Sequence, residues 1–135
     1  MNGHNLRRFV VTVAGALILI SKTWASEPKI PFKLDEPTAE RLASEGEFGS
    51  DKDHKYFDYD SGMDKIFFVF LGVGEQSNFG FFAVNPWTGD VWSLGNCKKL
   101  TTPALRRSQV AIRKRFTAEE LKQYRRLSRI EPECL

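Results

Sequence analysis

The sequence holds few of the residues that catalysis and metal binding usually require. It contains only two histidines, His4 and His54, and only two cysteines. It has no Gly-x-Ser-x-Gly motif, the strand-to-helix turn that presents the nucleophilic serine of many hydrolases. From these shortages we predict no catalytic residues, no metal site and no cofactor, and we favour binding over catalysis.

Long apolar runs are also missing. The longest, Phe9–Ile20, has 12 residues, whereas a membrane-spanning helix needs about 20. Arginines precede this run, and a short polar stretch ending in Ala25 follows it. That order is typical of a cleavable secretory signal peptide. We therefore predict removal of residues 1–25, contact with the membrane only through this segment, and a single domain of residues 26–135 in the periplasm or outside the cell. An uncleaved signal anchor is the alternative.

The predicted exported part has no excess charge, although its charges are unevenly placed. The whole chain has 20 basic and 17 acidic residues, and removing residues 1–25 leaves 17 of each. This balance argues against nucleic acid as a partner. However, residues 26–75 carry 12 acidic and 6 basic side chains, and residues 98–129 carry 2 acidic and 11 basic. The basic segment is either a solvated or internally paired face, or a surface that steers a charged partner.

The two cysteines, Cys97 and Cys134, both lie in the predicted exported part. Two cysteines in an exported chain most simply form one disulfide. The bond would close a loop of about 37 residues and stabilise the fold by roughly 3–4 kcal/mol in the chain-entropy model. A reactive or metal-binding thiol pair is the alternative.

Hydrophobic patterning predicts an α+β fold: a small antiparallel meander of three to four strands, with a short N-terminal helix and two C-terminal helices packed on one face. Asp35 and Pro37 begin the first helix, which we expect to end near Glu45. Thr102-Pro103 begins the second, and the capping box Thr117-Ala118-Glu119-Glu120 begins the third. The expected strands are Tyr56–Tyr59, Ile66–Val73, Phe79–Asn85 and Val91–Leu94.

The helix predicted after Thr102 is strongly amphipathic. Leu105, Ile112 and Phe116 recur at helical spacing and predict its buried face. The opposite face is basic, and its candidate binding residues are Arg106, Arg107, Arg113 and Lys114.

A tight turn is predicted at Pro86-Trp87-Thr88-Gly89, because proline fixes φ and glycine accepts a positive φ. Tryptophan is hard to bury at the tip of a turn, and it is frequent among the dominant residues of protein interfaces. We therefore predict that Pro86, Trp87, Thr88 and Gly89 bind a partner, with Trp87 as the anchor. The alternative is that Trp87 folds back over the sheet.

The segment Phe82–Trp92, which contains this turn, resembles the hairpin of small exported PepSY-type domains: a strand, a turn ending in Thr-Gly and a returning strand. The resemblance covers eleven residues. It implies a non-catalytic domain that binds or inhibits a hydrolase of the cell envelope.

Acidic residues are frequent between the first helix and the long apolar strand. Alternating aspartates suit calcium, but the order departs from the EF-hand, because Gly62 occupies the fifth place of the stretch that starts at Asp58, and no glutamate closes the loop at the twelfth place. A solvated loop is the favoured interpretation. The aspartates concerned are Asp51, Asp53, Asp58, Asp60 and Asp64.

Taken together, the sequence predicts a periplasmic or secreted binding protein of the inhibitor or immunity type, whose partner is another envelope protein and most simply a hydrolase. Two alternatives stay open. One is a structural or accessory component of an envelope or secretion assembly that acts through the basic helices. The other is a small hydrolase that uses the Asp-rich loop, in which acidic pairs such as Asp58 and Asp60 would supply the acid–base chemistry.

Overall fold

In a computed structural model, residues 30–49, 56–64 and 66–135 are described. They form an α+β structure in which helices pack on an antiparallel sheet, as the sequence predicted. The predicted signal peptide lies outside these ranges. In chain order the elements are α1 (Glu36–Phe48), β1 (Tyr56–Tyr59), β2 (Phe68–Val73), β3 (Asn78–Val84), β4 (Val91–Ser93), β5 (Lys98–Lys99), α2 (Pro103–Arg113), α3 (Ala118–Leu121) and α4 (Tyr124–Leu127).

The sheet is a five-stranded meander with the strand order β1-β2-β3-β4-β5, each strand antiparallel to the next. It has one strand more than the three to four predicted. The additional strand, β5, consists of two exposed lysines, so it has no hydrophobic pattern that could reveal it. A tight turn pairs it with β4, and Cys97 in that turn adopts a left-handed φ of 52°.

Helix α1 begins where the sequence indicates and ends later. The Asp35 carboxylate accepts a hydrogen bond from the Thr38 amide at 3.1 Å. The expected end near Glu45 is wrong, because the helix continues through Gly46 to Phe48. A Cβ at Gly46 would lie 3.2 Å from the Val91 side chain. This glycine therefore allows the helix to approach β4 closely, and Gly49, with a φ of 68°, ends the helix instead.

Both faces of the sheet are covered. On one face, α1 and α2 close over a core that includes Leu42, Phe70, Phe82, Leu105 and Ile112. On the other, a smaller cluster is formed by Phe67, Val69, Ala83, Trp92 and Leu94, against which Met63, Phe81 and Ile130 pack. Aromatic residues thus alternate between the two faces, as the period of two requires. Among the described residues, no helix is long and apolar enough to cross a membrane.

The C-terminal helices keep their predicted caps, although one of them is divided. The Thr102 hydroxyl caps α2, and Thr117 and Glu120 form the predicted capping box. The last predicted helix is present as two single turns, α3 and α4. The amides of Lys122 and Gln123 bond to carbonyls three residues back, so the helix tightens and breaks there.

The predicted disulfide is confirmed. Cys97 and Cys134 are bonded, with their Cα atoms 5.5 Å apart. Close to this bond, the Leu135 amide donates to the Leu94 carbonyl at 3.3 Å. The C-terminus is therefore fastened beside the end of β4.

Candidate binding surfaces

The turn predicted to present a binding residue is part of the core. The relative solvent exposure of Trp87 is only 3%, and Pro86, Thr88 and Gly89 are buried as well. The prediction that Trp87 protrudes as an interface anchor is therefore wrong. The alternative, that it folds back, describes the structure.

A segment remote in sequence buries this turn. Residues 30–34, here called the N-terminal strap, cross over it, and the Trp87 indole N–H donates to the Ile30 carbonyl at 2.8 Å. The amides of Lys33 and Leu34 both donate to the Pro86 carbonyl, at 2.9 and 3.1 Å. The backbone and the indole of the turn are thus satisfied by the strap instead of by water or a partner.

Asn85 directs the turn inward. Its Oδ1 accepts hydrogen bonds from the amides of Trp87 and Thr88, at 2.9 and 3.1 Å, while its Nδ2 donates to the Leu127 carbonyl at 2.9 Å. Asparagine before a turn commonly bonds to the backbone two residues on. That local signal was available in the sequence, whereas the bond to Leu127 depends on the tertiary fold.

Side chains of α1 and α2 also pack against this turn. Gly89 has a φ of 71°, and a Cβ there would come within 2.7 Å of the Ile112 side chain. The neighbouring Asp90 carboxylate accepts hydrogen bonds from Thr88 at 2.9 Å and from Gln109 at 3.2 Å, and it pairs with Lys99 at 2.8 Å. The four residues of the turn therefore hold the strap, sheet and helices together.

The basic face of α2 is exposed, as predicted. Arg106, Arg107, Arg113 and Lys114 all lie at the surface, and α2 contains no acidic residue. In the described part of the chain, none of the four forms an ion pair. The Arg113 guanidinium lies 4.9 Å from the centre of the Tyr124 ring.

Val110 lies on the same outward side of α2 and is 56% exposed. At the N-terminal end of the helix, Arg106 borders an open hollow of about 300 Å³ with Thr101, Thr102 and Pro103. The outward side of α2 thus combines an apolar side chain with cations that have no ion-pair partner among the described residues.

Other cations are neutralised within the fold. Lys33 pairs with Glu120 at 2.7 Å, Lys99 with Asp90, and Lys122 with Glu119. A hydrogen bond from Lys33 is the main cause that holds the pKa of Glu120 below its usual value of 4.5. Internal pairing therefore accounts for some of the basic C-terminal segment, but not for α2.

An aromatic surface escaped the sequence analysis. Phe32 is 51% exposed, and Tyr59 and Ile66 are each 36% exposed. The Phe32 ring meets Phe68 edge-on at 6.1 Å, and Tyr59 meets Phe68 at 6.0 Å. We call Phe32, Tyr59 and Phe68 the aromatic surface. Tyr59 and Phe68 meet through the pairing of β1 with β2, and Phe32 joins Phe68 through the strap. No local sequence pattern indicates this second contact, because the strap is remote in sequence from β2.

Two of the three described aspartates that were considered for calcium cap local turns. Asp60 Oδ1 accepts from the Gly62 amide at 3.0 Å, and Asp64 Oδ1 accepts from the amides of Ile66 and Phe67. Asp58 is exposed. Among the described residues, no three His, Cys, Asp or Glu side chains are grouped so that they could hold a metal ion. Asp51, Asp53 and His54 lie outside those residues.

Comparison with known proteins adds little. No protein-family model and no curated protein matches the chain, so the PepSY-type resemblance of the hairpin stays a prediction. Among solved structures, the fold is similar to one chain of a type VI secretion system effector–immunity complex from Pseudomonas protegens. The identity is 22% and the TM-score 0.48, over 70% of this chain and 88% of that chain. Neither value is high enough for the role of that protein to be transferred to this one.

Proposed function

We propose that this chain is an exported, non-catalytic binding protein of the inhibitor or immunity type, and that it occludes a hydrolase of the cell envelope with the basic face of α2. The observation that carries the proposal is the outward side of α2. It presents Arg106, Arg107 and Lys114 without ion-pair partners in the described structure, around a half-exposed Val110.

This combination suits a protein partner. Arginine is enriched at protein interfaces, and exposed charges accelerate encounter with a surface of opposite sign. An apolar side chain among the cations provides a group that loses its contact with water when the complex forms. The surface complementary to this face is an acidic one, which would include the rim of the active site in the proposed hydrolase.

Export is supported by the disulfide. Bonds such as Cys97–Cys134 form and persist in oxidising compartments. Together with the signal-like residues 1–25, this bond agrees with a mature protein that begins near Ser26 in the periplasm or outside the cell.

Affinity capture from periplasmic extract tests the proposal. The wild-type chain should retain one hydrolase in a stoichiometric complex and inhibit it after purification. Reversing two charges of the basic face, Arg106→Glu with Arg107→Glu, should weaken the complex about tenfold or more, mainly by slowing association. The matched control is Arg125→Glu with Arg129→Glu, which makes the same change in net charge at exposed positions outside α2.

Three outcomes would contradict the proposal. Equal loss in both double variants would mean that net charge alone governs binding. A captured enzyme that stays active in the complex would exclude inhibition. Capture of a multi-protein complex without a hydrolase would favour an accessory component of an envelope assembly.

A further inference from the structure

We infer that the outer edge of β1, the side of Tyr56–Tyr59 that faces away from β2, is a second binding site. It takes an extended peptide segment of another protein, in which apolar and basic residues alternate, as an added strand of the sheet. The inference goes beyond the proposed function, because it concerns another surface: α1 contacts both β1 and α2, whereas α2 does not contact β1.

The backbone of β1 offers hydrogen bonds on this side. In the described sheet, β1 is the first strand in the order and pairs with β2. The Asp60 amide donates to the Val69 carbonyl at 2.9 Å. Backbone groups of an antiparallel strand alternate in direction, so Asp58 also bonds toward β2, while Phe57 and Tyr59 direct their amides and carbonyls outward. No described residue bonds to these outward groups. Such a row is a template for another strand.

The opposite edge of the sheet is protected from strand addition. There, β5 consists only of Lys98 and Lys99, and the Lys99 amino group is already paired with Asp90. Lysines on a very short edge strand are a common means of preventing strand addition. The margin of β1 instead carries Tyr59, which is 36% exposed and belongs to the aromatic surface. We therefore assign the added strand to β1.

The side chains of β1 define what the added strand carries. Phe57 and Tyr59 face the helices, and the Tyr59 ring packs 5.5 Å from that of Phe70. Asp58 points to the other face, opposite Leu71, and it is exposed without an ion-pair partner among the described residues. Cross-strand neighbours share a face, so apolar side chains suit the positions opposite Phe57 and Tyr59. A basic side chain suits the position opposite Asp58.

A second copy of this chain fits the edge poorly. Two β1 strands would pair about a two-fold axis. An axis at Asp58 sets two carboxylates opposite each other, and an axis at Phe57 leaves Tyr59 of each copy outside the paired residues. An axis between these positions would match side chains that point to opposite faces. A lipid or nucleic acid has no peptide groups for β1 and would bring phosphates to Asp58. The occupant is therefore a strand of another protein.

Amide hydrogen exchange, followed by NMR on the chain purified from the producing cell, tests the inference. The probe is the peptide acetyl-Thr-Thr-Val-Lys-Val-Thr-Thr-amide. In the free chain, the amides of Phe57 and Tyr59 should exchange faster than that of Asp58, and saturating peptide should slow both about tenfold or more. The matched control peptide is N-methylated at both valines, whose amides would face β1, and should not bind. N-methylation at the lysine, whose amide would face away, should preserve binding.

A charge exchange tests the position opposite Asp58. A peptide with glutamate in place of the lysine should bind the wild type about tenfold more weakly, and Asp58→Lys should reverse this preference. Tyr59→Pro removes an outward amide without removing a bond to β2, so it should abolish binding, whereas Tyr59→Ala should only weaken it. Arg106→Glu with Arg107→Glu should bind the peptide like the wild type, because α2 does not contact β1.

Several results would overturn the inference. These are amides of Phe57 and Tyr59 that exchange as slowly as that of Asp58 in the dilute free chain, protection that grows with protein concentration without peptide, or no binding of the peptide. Equal binding of the valine-methylated peptide, or a charge preference that Asp58→Lys leaves unchanged, would do the same. Peptide binding without capture of a hydrolase contradicts only the proposed function, and capture without peptide binding contradicts only this inference.

Discussion

Trp87 and Phe32 show how little a residue's local sequence says about its exposure. Trp87 occupies a turn between two strands, where burial is difficult, yet it is almost completely buried. Phe32 lies in the extended segment that covers this turn, and it is half exposed because Trp87 already fills the space beneath it. The decisive hydrogen bond, from Trp87 to Ile30, joins residues 57 positions apart. No local pattern contains that information.

Replacing Trp87 by alanine should therefore destabilise the fold instead of acting on binding alone. Removing a buried aromatic side chain leaves a cavity and typically costs about 3–5 kcal/mol of unfolding free energy. Trp87→Phe should lose less, because it keeps a ring and loses mainly the bond to Ile30. Urea unfolding measures both. The exposed Leu121→Ala should change stability by less than about 0.5 kcal/mol. A Trp87→Ala protein as stable as the wild type would refute the role assigned here.

At the scale of whole elements, the sequence predicted most of what the structure contains. Caps at Asp35, Thr102 and Thr117 and the apolar spacing along α2 are local signals, and the helices begin where those signals lie. The late end of α1 and the existence of β5 depend on packing: Gly46 packs closely against Val91, and β5 is held by pairing with β4. The strap has no regular structure, so no periodic pattern revealed its role.

The ion pair between the strap and α3 should make stability depend on pH. The pKa of Glu120 is lowered in the folded state, chiefly by Lys33. The stabilisation from this pair is therefore fully present above pH 4.5 and is lost as the pH falls through the lower, folded-state pKa. Lys33→Met should be less stable than the wild type near neutral pH, and the difference should shrink on acidification.

Urea midpoints measured from pH 7 to pH 3 would follow this difference. Lys122→Met is the matched control, since Lys122 and Glu119 remain 70% and 80% exposed in their pair. Such pairs contribute little, so this variant should stay close to the wild type throughout. A Lys33→Met difference that is constant across the range would show that the lysine acts through packing on Phe116 alone.

Across the whole molecule, the sequence predicted the fold class, the disulfide and the basic outward face of α2, but not the aromatic surface. Leu105, Ile112 and Phe116 are buried while the four basic residues are exposed, because a helix at the edge of a core has to divide its side chains in this way. The aromatic surface draws its residues from the strap, β1 and β2. It exists only when distant segments meet, and this is the physical reason that it could not be foreseen.

The disulfide should stabilise the whole fold through the unfolded chain. Cys97 and Cys134 are 37 residues apart, and in the chain-entropy model a cross-link of that span contributes roughly 3–4 kcal/mol. The double variant Cys97→Ser with Cys134→Ser should still fold, since Ile130 remains packed against both core clusters and Leu135 can still bond to Leu94. It should unfold at lower guanidinium concentration, with a steeper dependence on denaturant because its unfolded state is more expanded. Serine keeps a Cβ at position 97, where φ is 52°, so backbone strain is the same in both proteins and the difference reports the cross-link alone. If the double variant unfolded at the same midpoint and with the same slope as the oxidised protein, the bond would have no role in stability.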